Sequence, residues 1–397
     1  MKKLLLSLSA AIVFSLPGIA QPWAFTTLDI NQAKAGVNSN GDLFWDYSNP
    51  QFEIPQDSGT HTMIASTLWV GGLDAGGLLH IAAQTYRQTG NDFFPGPIMT
   101  TYTTATDAQW NRIWKINKTT IDTFLMWRAN PGNFPGYVIP NEIATWPGNG
   151  DTLQGQAAQL AAYVDANSDG RYIPGDGDYP CIKGDQACFF LFNDRRNIHS
   201  ESGGAALGIE VHGMIYGYSA AGTWLDSTVF LNYKIYNRSS LQHQSVYIGQ
   251  YTDFDIGTFS DDFVGCDVER GVMYGYNGDA VDGPGVGNFG ANPPAQGVMF
   301  LRGPEADAGD GVDNNRNGTT DEPGEFCIMN KFVAFDNTAG PTGNPQLTTN
   351  YYSYLSGFWR DGSPVTYGGT GYGGTVLSDY MYPANTDPMG YGTAFVI

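Results

Sequence analysis

The sequence predicts a mainly β chain, with an antiparallel, β-sandwich-like architecture, long Gly/Pro/Asn-rich loops and a few short helices in the N-terminal half. Three observations predict it. The 397 residues include 52 Gly, 23 Tyr and 22 Phe but only 15% charged residues, a composition suited to tight turns joining aromatic strands. After Leu207, apolar and polar residues alternate over long stretches, which is the period of strands with one buried face. Helical periodicity is clearest between Asp107 and Ala129, with Gln154 to Val164 the one further stretch that could be helical, on the entering side of an acidic loop.

The first twenty residues read as a secretory signal peptide. Lys2 and Lys3 precede an apolar run from Leu4 to Leu16, and Gly18 and Ala20 are the small residues of a cleavage site. That run of 13 residues is too short for a membrane-spanning helix, which needs about 20. The mature chain then starts at Gln21 and carries no transmembrane segment, so the sequence predicts an extracellular or cell-surface location. Beyond the signal, residues 21–195 read as a β-rich region with short helices and a calcium loop. Residues 196–397 read as a β-sandwich-like domain holding a second acidic loop.

Element by element, residues 62–70 and 78–87 form a hairpin across the Gly-rich 71–77. Two short helical pieces follow, one presenting Trp110, Ile113 and Trp114 and the other Ile121, Phe124 and Leu125. Thr119 and Asp122 have the spacing of a capping box. Leu207, Ile209, Val211 and Ile215 share one face of a strand, and Val229, Leu231, Tyr233 and Ile235 one face of the next. Val246 and Ile248 begin a third after a turn at 237–240, giving one antiparallel sheet, half of a sandwich. From Gly340 onward the chain reads as loop, and the apolar run 394–397 predicts continuation into further sequence.

A formal charge of −20 excludes nucleic acid as a partner, because phosphate binding needs clustered Lys and Arg. The acid is concentrated in three stretches, 165–178, 253–269 and 305–325, which hold 17 of the 39 carboxylates. Carboxylates packed that densely repel one another unless cations intervene. The four cysteines of an exported chain are expected to pair; Cys181 and Cys188 could close a short loop and leave Cys266 and Cys327 as the other couple, but four cysteines allow three connectivities and the sequence does not choose between them.

The most specific motif is Asp165-x-Asn167-x-Asp169-Gly170-Arg171, followed by Asp176 at position 12. Calcium takes six to eight oxygens, and Asx residues at positions 1, 3 and 5 of such a loop converge theirs on one point. Gly170 permits the sharp turn and Arg171 offers its backbone carbonyl. Pro174 and Pro180 exclude a regular exiting helix, so the loop resembles the solitary calcium loops of dockerins. The second motif places Asp310, Asp313, Asn315, Asn317, Asp321 and Glu322 around Gly311 and Gly318. It resembles the D-G-x-D-N-x-x-x-G-x-x-D-E metal-binding repeat of secreted bacterial proteins. The acidic stretch after the third strand, with Asp253, Asp255, Asp261, Asp262 and Asp267, is a weaker cation candidate.

No catalytic set stands out. The five histidines are scattered, H-E-x-x-H and G-x-S-x-G are absent, and the G-x-G-x-x-G at 369–374 precedes no helical pattern. Tyr351, Tyr352, Tyr354, Trp359 and Tyr367 are candidates for stacking on sugar rings.

Several further stretches carry a resemblance as a set: 68–74 (LWVGGLD), 83–87 (AQTYR), 90–97 (GNDFFPGP), 229–234 (VFLNYK) and 290–297 (GANPPAQG). With the two calcium loops they resemble large secreted proteins of Bacteroidota that end in a type IX secretion sorting domain. The resemblance implies attachment to the cell surface or release into the medium, and it supplies no catalytic residues. The sequence reading is therefore a calcium-stabilised, non-catalytic surface or extracellular protein, adhesive in the simplest case. Its macromolecular partner would be an extracellular polysaccharide or another surface protein. Two alternatives remain at this stage, a carbohydrate-binding part of a polysaccharide-degrading enzyme and a carboxylate-dependent hydrolase.

Overall fold

The computed structural model describes residues 23–85 and 90–391. The expected signal segment 1–20, the run 394–397 and the last part of the expected strand 78–87 lie wholly or partly outside them. The chain is mainly β, as its composition predicts, and its two principal sheets are antiparallel throughout.

The first sheet contains β1 (Phe25–Leu28), β2 (Lys34–Asn38), β3 (Phe52–Glu53), the long β4 (His61–Leu73), β5 (Leu79–Ala82) and β13 (Gln244–Phe254). The predicted hairpin is the β4–β5 pair. The second sheet contains β6 (Phe94–Pro95), β7 (Trp114–Asn117), β10 (Gln186–Asn193), β11 (Ile209–Gly217) and β12 (Phe230–Asn237). A third, smaller sheet is formed by β14 (Asp262–Asp267), β15 (Val272–Asn277) and β18 (Ala295–Met299).

Between the two large sheets lies the main core. Leu28, Val37, Phe52, Met63, Leu68 and Val70 of the first sheet meet Cys188, Phe190, Phe192, Val211 and Ile215 of the second. This is the predicted sandwich, but its outer faces are covered as well. Strand β10 is buried along its whole length because its alternate residues, Phe189 and Leu191, enter a second core. That core is supplied by Trp110, α2 (Lys118–Ala129), Ile143, Trp146 and Leu160. On the opposite side, Trp69 and Ile81 face a third core containing α4 (Thr348–Leu355), Trp359 and Val365. Phe190 lies over its cross-strand partner Gly213, where a β-carbon would overlap the ring.

Four expectations need correction. The turn at 237–240 does not join neighbouring strands, since β12 pairs with β11 while β13 crosses to the other sheet and pairs with β4. Both sheets therefore draw strands from either side of residue 195, and the two expected regions share one main core. Trp114 belongs to strand β7 rather than to a helix, and α2 is preceded by Asn117 at its cap instead of using Thr119. The chain beyond Gly340 includes α4, which buries Tyr351 and Tyr354.

The cysteines are unbonded to one another. Cys188 points into the main core while Cys181 is exposed, so the two do not meet. Burial pushes the thiols of Cys188 and Cys266 up to about 12, which keeps both protonated.

Candidate calcium loops

The first acidic loop is the connection between two short paired strands, β8 (Tyr163–Val164) and β9 (Tyr179–Pro180). Asp165 receives the backbone N–H of Asp169 on one oxygen (3.2 Å) and that of Gly170 on the other (2.7 Å). Asn167 Oδ1 also accepts from Asp169 N (3.1 Å), and Asp169 Oδ1 accepts from Arg171 N (2.8 Å). Ser168 and Gly170 both have positive φ, 63° and 76°, which curls the backbone round the side-chain oxygens.

The second loop repeats this arrangement contact for contact. Asp313 accepts from Asn317 N (3.1 Å) and Gly318 N (2.8 Å), Asn315 Oδ1 from Asn317 N (3.0 Å), and Asn317 Oδ1 from Thr319 N (2.8 Å). Arg316 and Gly318 occupy the two positive-φ positions, at 55° and 91°. The register therefore starts at Asp313, with Gly318 matching Gly170. Asp310 lies outside it, accepting from Val312 N and Asn314 Nδ2 in a turn of its own. Asp321 accepts from Gly311 N (3.2 Å). Glu322 is tied to the loop, its Oε1 receiving the side-chain amides of Asn315 (2.7 Å) and Asn317 (2.5 Å).

Two closing carboxylates were not singled out by spacing. Asp178 is fully buried and accepts from Ala166 N and Ile173 N, both at 2.8 Å. Its counterpart Glu325, also buried, accepts from Asn314 N at 2.5 Å. In each loop the second residue's N–H thus reaches a buried acid beyond the twelfth position. Asp176 is exposed, and what holds it is its backbone carbonyl, bonded by Arg128. The usable signal was the glycine at position 6, which aligns the two loops.

The residues present fit a calcium ion in chemistry. Positions 1, 3 and 5 supply oxygen acceptors in both loops, and none of the loop carboxylates is ion-paired with Lys, Arg or His among the described residues. Glu322 Oε2 is buried with no hydrogen-bond partner. Among the described residues, no three His, Cys, Asp or Glu side chains form a metal-holding group by themselves. Loops of this kind also draw on Asn and backbone oxygens.

Each loop is fastened to a different layer. Tyr172 of the first donates its hydroxyl to Ile143 O (2.6 Å), beside the second core. Arg316 of the second donates to Val268 O and Met329 O (both 3.0 Å) and stacks over Tyr380, next to the third core. Asp178→Ala is expected to cost about 2–3 kcal/mol, because two backbone N–H groups lose a charged, buried acceptor. Asp176→Ala is expected to stay within about 0.5 kcal/mol. Urea titration of the two variants checks the contrast, and equal losses would remove Asp178 as the closing residue.

The sugar-stacking candidates are largely committed elsewhere. Tyr351, Tyr354 and Trp359 are buried in the third core, Tyr352 is half-buried with its hydroxyl on Ser245 O, and Tyr367 is exposed. His212 is buried against Glu210, 3.0 Å away, as a structural pair. No helix among the described residues is long and apolar enough to cross a membrane. Compared with known proteins, the chain matches no family model, no curated protein and no solved structure.

Proposed function

We propose that this chain is an exported, calcium-stabilised, non-catalytic protein of the cell surface or extracellular medium. In the proposed assembly, calcium is held by Asp165, Asn167, Asp169 and the Arg171 carbonyl in one loop. In the other it is held by Asp313, Asn315, Asn317, the Thr319 carbonyl and Glu322. The observation that carries the reading is that two loops far apart in the chain share the same hydrogen bonds and the same positive-φ positions. A plain acidic turn has no need of that repetition. The export-type N-terminus and the resemblance to secreted Bacteroidota proteins support the location. The partner that fits is another surface protein or an extracellular polysaccharide.

Each calcium would supply attraction between oxygens that otherwise repel, and so fasten an outer layer to the sandwich. Extracellular loops of this kind bind calcium at about 10⁻⁴ to 10⁻³ M. In about 10 mM calcium each site then contributes about 1.4–2.7 kcal/mol. Thermal melts in calcium and in EDTA are expected to differ clearly, with part of the shift removed by Asp165→Ala and the rest by Asp313→Ala. Coincident melts for the parent protein would end this reading.

A further inference from the structure

Ile209, Val211 and Ile215 of β11 turn into the main core, so the alternate residue Glu210 is set on the opposite face of the second sheet. It is fully buried there, and its carboxylate is well supplied with donors. Oε2 accepts from Ile98 N (2.8 Å), while Oε1 accepts from Arg238 Nε (3.2 Å) and Nη2 (2.9 Å) and lies 3.0 Å from His212 Nε2. Burial by itself would raise the Glu210 carboxyl, but these partners outweigh it and hold the group below the usual range, as the ionised form. Arg238 directly follows β12 and lies over the Tyr236 ring, 4.5 Å from its centroid.

Glu210 and Arg238 line a hollow of about 240 Å³ together with Arg195, Gln156 and Thr100, and no residue of either acidic loop takes part. Segments far apart in the chain build its wall. Thr100 N and Oγ1 both donate to Gln154 O (2.9 and 3.0 Å). Gly155, at φ 78°, sits so close that a β-carbon there would overlap the Thr100 side chain.

Two polar groups of this wall lack partners. Arg195 uses its backbone N–H on Asn193 Oδ1 (2.9 Å), and its guanidinium pairs with no carboxylate among the described residues. The adjacent Arg196 is instead held by Asp107 in a two-bond pair (2.8 and 2.7 Å). Gln156 is only 6% exposed and accepts from Asp151 N through Oε1 (2.9 Å), while its Nε2 has no hydrogen-bond partner among the described residues. Buried polar groups are normally satisfied, so the Gln156 amide is an independent sign that the hollow takes a polar ligand.

Charge selects the ligand. Two guanidiniums and one carboxylate line the hollow, an excess of one positive charge in a chain whose formal charge is −20. A monoanion neutralises that excess, whereas a dianion such as phosphate would set a second charge against Glu210. Guanidinium matches a planar carboxylate, and the Gln156 amide, the Thr100 hydroxyl and the Glu210 oxygens suit hydroxyl groups beside it. The volume lies under the roughly 300–1,000 Å³ of drug-sized sites, which limits the occupant to about one sugar ring. We propose, building on the polysaccharide partner proposed above, that the hollow binds a terminal hexuronate of an acidic polysaccharide, with Arg195 on its carboxylate.

Isothermal titration of the whole chain in calcium at neutral pH is the test. D-glucuronate is expected to bind saturably with a Kd on the order of 1 mM, as a small ligand held by a few polar contacts does, and D-glucose is expected not to bind. Arg195→Gln, at an exposed position outside every ion pair, is expected to weaken glucuronate binding at least about tenfold without moving the melt. No saturation of the parent chain by about 20 mM glucuronate overturns the proposal and leaves the hollow to water. Glucose or acetate binding as tightly as glucuronate, tighter binding of inorganic phosphate, or an unchanged Kd in the variant overturns it as well. The calcium reading is tested separately by melting. Loss of glucuronate binding with calcium stabilisation intact removes this site alone, and glucuronate binding with coincident melts keeps the site and removes the calcium loops.

Discussion

Asp194→Ala is expected to destabilise the protein by about 3–5 kcal/mol, the range for leaving buried charged or polar partners uncompensated. Asp194 sits just beyond β10, fully buried, and gathers the connection to β11. It accepts from Leu207 N (2.6 Å), Gly208 N (3.0 Å) and Ile209 N (2.8 Å). His199, equally buried, places Nε2 2.6 Å from the Asp194 carbonyl and Nδ1 2.6 Å from Ile81 O. The residue therefore links the central hairpin of one sheet to β5 of the other. Burial raises the Asp194 carboxyl above the usual range, opposed by His199 and the three N–H donors. Removing the side chain orphans those three donors at once, whereas Asp194→Asn retains one acceptor oxygen and should cost less. Urea unfolding measures both, and a loss below about 1 kcal/mol for the alanine variant would contradict the account.

Trp69→Ala is expected to cost a comparable 3–5 kcal/mol or so, the range for deleting a large aromatic side chain from a core. Trp69 is 4% exposed, stacks on Tyr251 with ring centroids 5.4 Å apart, and contacts Phe335 and Tyr351. Its indole N–H donates to Gln84 O (2.6 Å). It is the main bolt between the sandwich and the C-terminal layer, so the variant should be cleaved by protease within residues 330–390 before it unfolds globally. Trp69→Phe keeps most of the packing and should cost less than about 2 kcal/mol. Simultaneous loss of all layers, with no early cleavage, would show that the outer layer does not loosen on its own.

The sequence made β11 legible, since Ile209, Val211 and Ile215 mark the buried face directly. It could not assign β13 to its sheet, because alternation reports which face is buried and says nothing of the partner strand. Helix α4 was hidden for another reason. Its residues, TTNYYSYL, include two β-branched threonines and three tyrosines, weak helix formers, and it is held by burying Tyr351 and Tyr354 against the third core. In the loops, the glycine and the Asx spacing were readable. Asp178 and Glu325 were not, because their role comes from burial and from an N–H reaching back across the turn.

Strand β4 waits a long time for its neighbour. Residues 61–73 leave the ribosome well before 244–254, the segment that completes their pairing. Until then a long strand edge stays open in a nascent chain, the condition under which intermediates stick to one another. Folding is therefore governed by the arrival of late sequence, and a pause in synthesis between residues 73 and 244 should yield aggregate rather than a stable partial fold.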